Sequence, residues 1–352
     1  MKKIVFGIVV ILFIVGGLIL YSRIPEGGNQ IESMNMVTDV IPTPTPFPFE
    51  QITIPYLQKR TYKSILTDLK EFSNSSTYTS YLTTYASDDL TIHGLITKPK
   101  GEMPKEGWPA IVFVHGYIPP TLYKTTERYG DYIDALARNG FVVFKIDLRG
   151  HGESEGTPGG AYYSSDYVVD TLNAYAALQQ SPFVNPQKIG LWGHSMAGNV
   201  VLRSFVTRPE IPVVVIWAGA VYSYTDQQTY GINDQSYRPP ISNAPLQNRR
   251  RELMETYGQP SQESFFWKQV APTNYLSTLR GAIQIDHAVD DTVVNIGYSR
   301  DLMKLLDKTD VPHELNEFAS GGHNISGGPF NQAMGKTIDF YKKYLNEDAN
   351  EK

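Results

Sequence analysis

Lys188-Ile189-Gly190-Leu191-Trp192-Gly193-His194-Ser195-Met196-Ala197-Gly198 passes from a short apolar strand signal into a run, Asn199 to Val206, that is apolar at helical spacing. A strand that turns this abruptly into a helix forces its middle residue into a strained conformation, and the backbones can approach only if the flanking residues are small. Gly193 and Ala197 meet that requirement. Such a turn lifts the hydroxyl of Ser195 to the carboxyl edge of a parallel sheet and aims the N–H groups that open the next helix at any oxyanion formed there. Ser195 is therefore the candidate nucleophile.

The elements around this turn alternate. Apolar runs at Ala110 to Val114, Phe141 to Ile146, Lys188 to Trp192, Val213 to Trp217, Ala282 to Ile285 and His313 to Phe318 predict buried strands. Helical stretches fall at Glu127 to Asn139, Ser165 to Gln180, Met196 to Thr207, Ile296 to Asp307 and Pro329 to Leu345. Tyr78 to Ala86 and Leu90 to Thr97, joined at Ser87-Asp88-Asp89, predict an antiparallel pair ahead of them. The fold class is α/β, a doubly wound, mostly parallel sheet whose ligand crevice lies at the carboxyl ends of the strands. More than sixty residues separate Trp217 from Ala282, with aromatics at Tyr222, Tyr224, Tyr230, Tyr237, Tyr257, Phe265, Phe266 and Trp267. The segment 220–280 is thus a lid-like insertion, or else aromatic packing onto the domain.

A hydroxyl needs a base to take its proton, and the base needs an acid to orient it. In a sheet of this kind the chain order is Ser, acid, His. Of the histidines after Ser195, His313 begins a strand and His287 sits where the acid is required. His323, in the loop Ser320-Gly321-Gly322-His323-Asn324, is the candidate base. The acid is expected in Asp290-Asp291-Thr292-Val293-Val294, at Asp290, with Asp291 the alternative and otherwise a helix-capping or solvent-facing carboxylate. The oxyanion is expected between the N–H groups of Tyr117, which follows Gly116, and Met196. His115, His151, Asp147 and Arg149 are expected to be structural, the last two tying down backbone. Trp217, Tyr222 and Val293, each just beyond a strand end, are expected to line an acyl-side pocket.

Composition limits the alternatives. The 352 residues carry a formal charge of −5 and no cysteine, which leaves no thiol nucleophile, disulfide framework or nucleic-acid-binding surface. Arg249-Arg250-Arg251 is read as a solvated helix face. No cofactor or metal motif is present, so none is expected. Lys2-Lys3 precede an uncharged stretch from Ile4 to Tyr21, which as a helix would span about 27 Å, close to a bilayer core. Residues 1–22 are expected to be an uncleaved anchor that leaves the remainder extracytoplasmic, with secretion after signal cleavage the alternative. Residues 23–50, with Ile41-Pro42-Thr43-Pro44-Thr45-Pro46-Phe47-Pro48, form the expected stalk. The catalytic region is 51–346 and a polar tail 347–352. The expected partners are the membrane and a small ester or short peptide.

From about Tyr78 to Tyr344 the chain resembles the α/β-hydrolase superfamily, and within it the catalytic domain of the prolyl oligopeptidase family. The resemblance is carried by Asp89-Leu90-Thr91-Ile92-His93-Gly94-Leu95-Ile96, by Gly193-His194-Ser195-Met196-Ala197-Gly198, by Ala271-Pro272-Thr273-Asn274-Tyr275 and by Asp290-Asp291-Thr292-Val293. It implies a serine hydrolase acting through an acyl-enzyme, a peptidase or a carboxylesterase. It also implies that the first Asp of the Asp-Asp-x-Val pattern, Asp290, is the acid. The chain departs from that family at Ala197, where Gly is usual, at Asp286-His287-Ala288 in place of His-Gly, and at His115-Gly116-Tyr117 in place of a double-Gly loop. It also has no room for the family's β-propeller between stalk and core.

Overall fold

The computed structural model describes residues 48–236 and 244–346. The expected anchor, nearly all of the stalk and the polar tail lie outside the described residues. Among the described residues no helix is long and apolar enough to cross a membrane.

The chain enters through a short helix α1 (Ile54–Lys59), capped by the Thr53 side chain. Strands β1 (Lys70–Asn74), β2 (Tyr78–Ser87) and β3 (Leu90–Pro99) pair antiparallel. Then follow β4 (Trp108–Val114), α2 (Gly130–Arg138), β5 (Val142–Ile146), α3 (Asp166–Gln179), β6 (Val184–His194), α4 (Met196–Thr207) and β7 (Val213–Trp217). The insertion supplies α5 (Tyr224–Tyr230), α6 (Ala244–Tyr257) and α7 (Phe265–Val270). The chain closes with β8 (Ala282–Ala288), α8 (Gly297–Leu306), β9 (His313–Phe318) and α9 (Phe330–Asn346). The strands form one sheet in the order β1-β2-β3-β5-β4-β6-β7-β8-β9, parallel from β5 onward.

The parallel strands read as unbroken apolar runs because both faces are covered. Val112, Val114, Val214 and Ile216 enter the core beneath α3, α4 and α8. Ile111, Phe113, Val213, Val215 and Trp217, the alternate positions, enter the core beneath α2 and α9. The insertion aromatics mostly pack down. Tyr222, Tyr224, Phe266 and Trp267 are buried, and Tyr257 stacks on Phe266 with ring centres 3.7 Å apart. The arginine cluster on α6 is only partly a solvated face, since Arg250 lies over the Tyr163 ring.

Candidate active site

Ser195 joins β6 to α4 with φ 57° and ψ −118°, a conformation that costs about 1–3 kcal/mol for a residue with a side chain. Its backbone is held on both sides. Its N–H donates to the Trp217 carbonyl at 2.9 Å, and its carbonyl accepts from Gly198 at 2.9 Å and Ala220 at 3.3 Å. The crossing of strand and helix is tight enough that a Cβ at position 193 would lie 2.8 Å from the Ala197 carbonyl oxygen. The small residues of the motif are therefore a steric requirement.

The Ser195 hydroxyl lies 2.8 Å from Nε2 of His323, which sits on the turn after β9. Nδ1 of His323 lies 2.8 Å from Oδ2 of Asp291. A carboxylate only accepts, so Nδ1 carries the proton and Nε2 presents its lone pair to the hydroxyl. Asp291 has a fully buried side chain. Its Oδ1 takes the N–H groups of Val293 and Val294 at 2.8 and 2.9 Å, and its Oδ2 also takes Nε2 of His287 at 3.2 Å. Burial pushes its pKa up, but hydrogen bonds from His287, His323 and backbone outweigh burial and hold it well below the usual carboxylate range. His287 is itself fixed, with Ser299 Oγ 2.7 Å from its Nδ1 and the Val294 carbonyl 3.0 Å from its Nε2.

Asp290 is not the carboxylate on His323. It accepts the N–H groups of Gly322 and Gly321 at 2.8 and 3.3 Å and so clamps the backbone of the loop that carries His323. β8 continues through His287 to Ala288, which delays the turn and leaves the second Asp pointing inward.

Two residues join this relay without a prior signal. Nε2 of His194 lies 2.9 Å from the His323 carbonyl oxygen, and its Nδ1 lies 2.9 Å from the hydroxyl of Tyr129. Burial, reinforced by the nearby His323, lowers the His194 pKa to about 3, so the ring stays neutral. The carbonyl can only accept, so His194 donates from Nε2, and Tyr129 donates its hydroxyl proton to Nδ1. The Tyr129 oxygen in turn accepts the Gly116 N–H at 2.9 Å. Arg128 and Tyr129 have φ of 63° and 59°, which delays α2 past its expected start at Glu127.

The Gly116 N–H is thus committed to Tyr129, and Tyr117, the next residue of this loop, lines the cavity over Ser195. Met196 opens α4, and a first helical residue has no acceptor within the helix for its N–H. A cavity of about 570 Å³ over the relay is lined by Tyr117, Ser195, His323, Arg128, Asp131 and Asp234, among others. Val293 also lines it. Trp217 and Tyr222 do not reach it, because both are wholly buried. Trp217 points into the α9 side of the sheet, where its Nε1 donates to Thr337 at 3.0 Å. The expected acyl-pocket set is therefore wrong at two of its three positions.

The supporting residues are structural as expected, but Asp147 and Arg149 bind side chains and not backbone. His115 is buried, with its Nδ1 2.7 Å from the Gly116 carbonyl. Asp147 takes the hydroxyls of Tyr123 and Thr125 at 2.6 and 2.5 Å. Arg149 binds the carboxylates of Asp170 at 2.6 Å and Asp88 at 3.2 Å, side chains in place of the expected backbone.

Residues 108–242 match the family described as serine aminopeptidase, S33. Among curated proteins, a thiohydrolase of Aspergillus aculeatus is 30% identical over 109 residues, covering 31% of this chain and 33% of its own. A polyketide transferase of Penicillium crustosum is 26% identical over 166 residues, covering 47% and 51%. The chain thus spans a third to a half of the length of these relatives. Among solved structures, acetyl xylan esterase 1 from a Thermoanaerobacterium species superposes with a TM-score of 0.57 at 18% identity, over 85% of this chain and 95% of that one. Dipeptidyl peptidase 4 of Porphyromonas gingivalis superposes with a TM-score of 0.60 at 20% identity, over 76% and 36%. Esterases and peptidases thus share this α/β-hydrolase fold.

Proposed function

We propose that this chain, which has the α/β-hydrolase fold, is a serine hydrolase cleaving ester or amide bonds through an acyl-enzyme. The reading rests on one observation, the relay of two 2.8 Å contacts running from Ser195 through His323 to a buried carboxylate kept ionised by its hydrogen bonds.

In the proposed reaction Ser195 Oγ attacks the acyl carbon while His323 Nε2 takes its proton. The N–H groups of Tyr117 and Met196 receive the oxyanion, and Asp291 stabilises the imidazolium without accepting its proton. His323 then protonates the leaving alkoxide or amine, and water repeats the sequence on the acyl-enzyme with the same base. No step calls for a cofactor. The domain is further proposed to be held outside the cytoplasm by residues 1–22.

A fluorophosphonate probe should label Ser195 and no other residue of the wild type, and Ser195→Ala should abolish labelling. Undiminished labelling or ester turnover in Ser195→Ala would refute the reading. Comparing kcat/KM for aryl esters with that for aminoacyl anilides separates the two branches, because that ratio reports transition-state binding. Efficient ester cleavage with untouched anilides would select the carboxylesterase branch.

A further inference from the structure

A second cavity, of about 160 Å³, adjoins the site at Tyr117 and Met196. It shares Tyr117 with the larger cavity, and its other walls include Met196, Ala161, Tyr162, Tyr163 and Tyr167. His323 and Ser195 line only the larger one. We infer that the smaller cavity is the acyl-binding subsite and takes a compact apolar acyl group of benzoyl, phenylacetyl or hexanoyl size. The larger cavity then takes the leaving group. This inference rests on the serine-hydrolase reading above.

The direction follows from the tetrahedral centre. Three positions around a carbon bonded to Ser195 Oγ must be distributed. The oxyanion faces the N–H groups of Tyr117 and Met196. The leaving atom must face His323 Nε2, which supplies its proton. The acyl chain is left with the side away from His323, and the cavity that Tyr117 and Met196 border and His323 does not is the one assigned to it.

The size follows from volume. An apolar cavity of about 150 Å³ accommodates benzene, so 160 Å³ admits a ring or a six-carbon chain and excludes a long fatty acyl chain. The walls are fixed in advance. Arg203 of α4 is fully buried, and its guanidinium donates to the carbonyls of Ala161 at 3.2 Å, Ser164 at 2.5 Å and Ile52 at 2.7 Å. Tyr163 is held by its hydroxyl bond to Gln227 at 2.9 Å and by the Arg250 guanidinium over its ring. A cavity whose wall is pinned this way selects by fit, because widening it would break buried hydrogen bonds.

The test is kcat/KM of the full chain for 4-nitrophenyl acetate, hexanoate, phenylacetate and decanoate. Wild type is expected to favour hexanoate or phenylacetate, with decanoate at least tenfold lower. Ala161→Leu, which fills the cavity, should lower the hexanoate-to-acetate ratio at least tenfold. Tyr162→Ala, which opens it without overpacking, should raise the decanoate-to-hexanoate ratio and covers the case that the filled variant does not fold. Rates that climb steadily from acetate to decanoate in wild type would overturn the inference. So would unchanged ratios in Tyr162→Ala. Either result, with Ser195→Ala still inactive on every ester, would leave the serine-hydrolase reading intact.

Discussion

The ring of His194 braces the backbone of His323, its Nε2 lying 2.9 Å from the carbonyl oxygen of that residue. His194 is the residue before the nucleophile, so the element that carries Ser195 also sets where the base stands. On its other side His194 reaches Tyr129, and Tyr129 reaches Gly116, next to the expected oxyanion donor Tyr117. Three loops that must agree to within fractions of an ångström are linked by a single neutral imidazole and a phenol.

Removing the Tyr129 hydroxyl tests this linkage. Tyr129→Phe leaves the Gly116 N–H and His194 Nδ1 without their partner, a loss of about 1–3 kcal/mol for each buried group left unpaired. We expect kcat per active site, with sites counted by fluorophosphonate titration, to fall about tenfold while KM changes little, since loss of ~1.4 kcal/mol in the transition state is a factor of ten. A variant that melts earlier but keeps full kcat per titrated site would mark Tyr129 as scaffold alone.

The adjacent carboxylates should separate cleanly. Asp291→Asn removes the charge that fixes the His323 tautomer and should lower kcat by on the order of 10⁴. Asp290→Asn keeps a carbonyl oxygen to accept from Gly321 and Gly322 and should cost less than about tenfold, chiefly through a looser His323 loop. The reverse ranking in kcat would return the acid role to Asp290.

Asp286 makes stability depend on pH. It lies fully buried on β8, where burial pushes its pKa up to about 7 against the opposing hydrogen bonds from Asn316 and Thr337. Below about pH 4 the group is protonated in both folded and unfolded chains and contributes nothing. Between about 4 and about 7 the unfolded chain ionises first, so the folded state loses stability as pH rises; above that the loss is constant. The Tm of Asp286→Asn relative to wild type should therefore climb from pH 4 to pH 7 and then level off. A difference independent of pH across that window would refute the assignment.

On the proposal that residues 1–22 are an anchor, full-length protein should sediment with membranes and protease added to intact cells should digest the catalytic domain, because an apolar stretch of that length is long enough to span a bilayer and Lys2-Lys3 would stay inside. Digestion only after lysis would overturn the proposed orientation.

Ser195 and His323 were legible because each is forced by local chemistry, one by the small residues the turn demands and the other by a Gly-rich loop at the right strand end. The parallel strands were legible because burial on both faces leaves continuous apolar runs. The sequence points to Asp290 where the carboxylate on His323 is Asp291, because neighbouring loop residues face opposite ways and the phase depends on where β8 stops pairing with β9. β1, with all five residues exposed, offers no alternation to read. Tyr129 was invisible because its place is set by two successive left-handed residues, neither of them glycine. Two tyrosines of the smaller cavity, Tyr162 and Tyr163, come from the segment between β5 and α3, which carries no apolar period.

The buried guanidinium of Arg203 also ties Ile52 to the segment that borders the smaller cavity. One of its three carbonyl partners, Ile52, precedes α1 and lies well upstream of the first strand, yet it shares a cation with the segment that shapes the smaller cavity. On the acyl-subsite proposal, the opening turn belongs to the selectivity apparatus. A chain shortened past Ile52 would keep every residue of the relay, still react with a fluorophosphonate, and lose its discrimination among acyl groups, so that a trimmed enzyme could pass an activity assay while misreporting its own substrate preference.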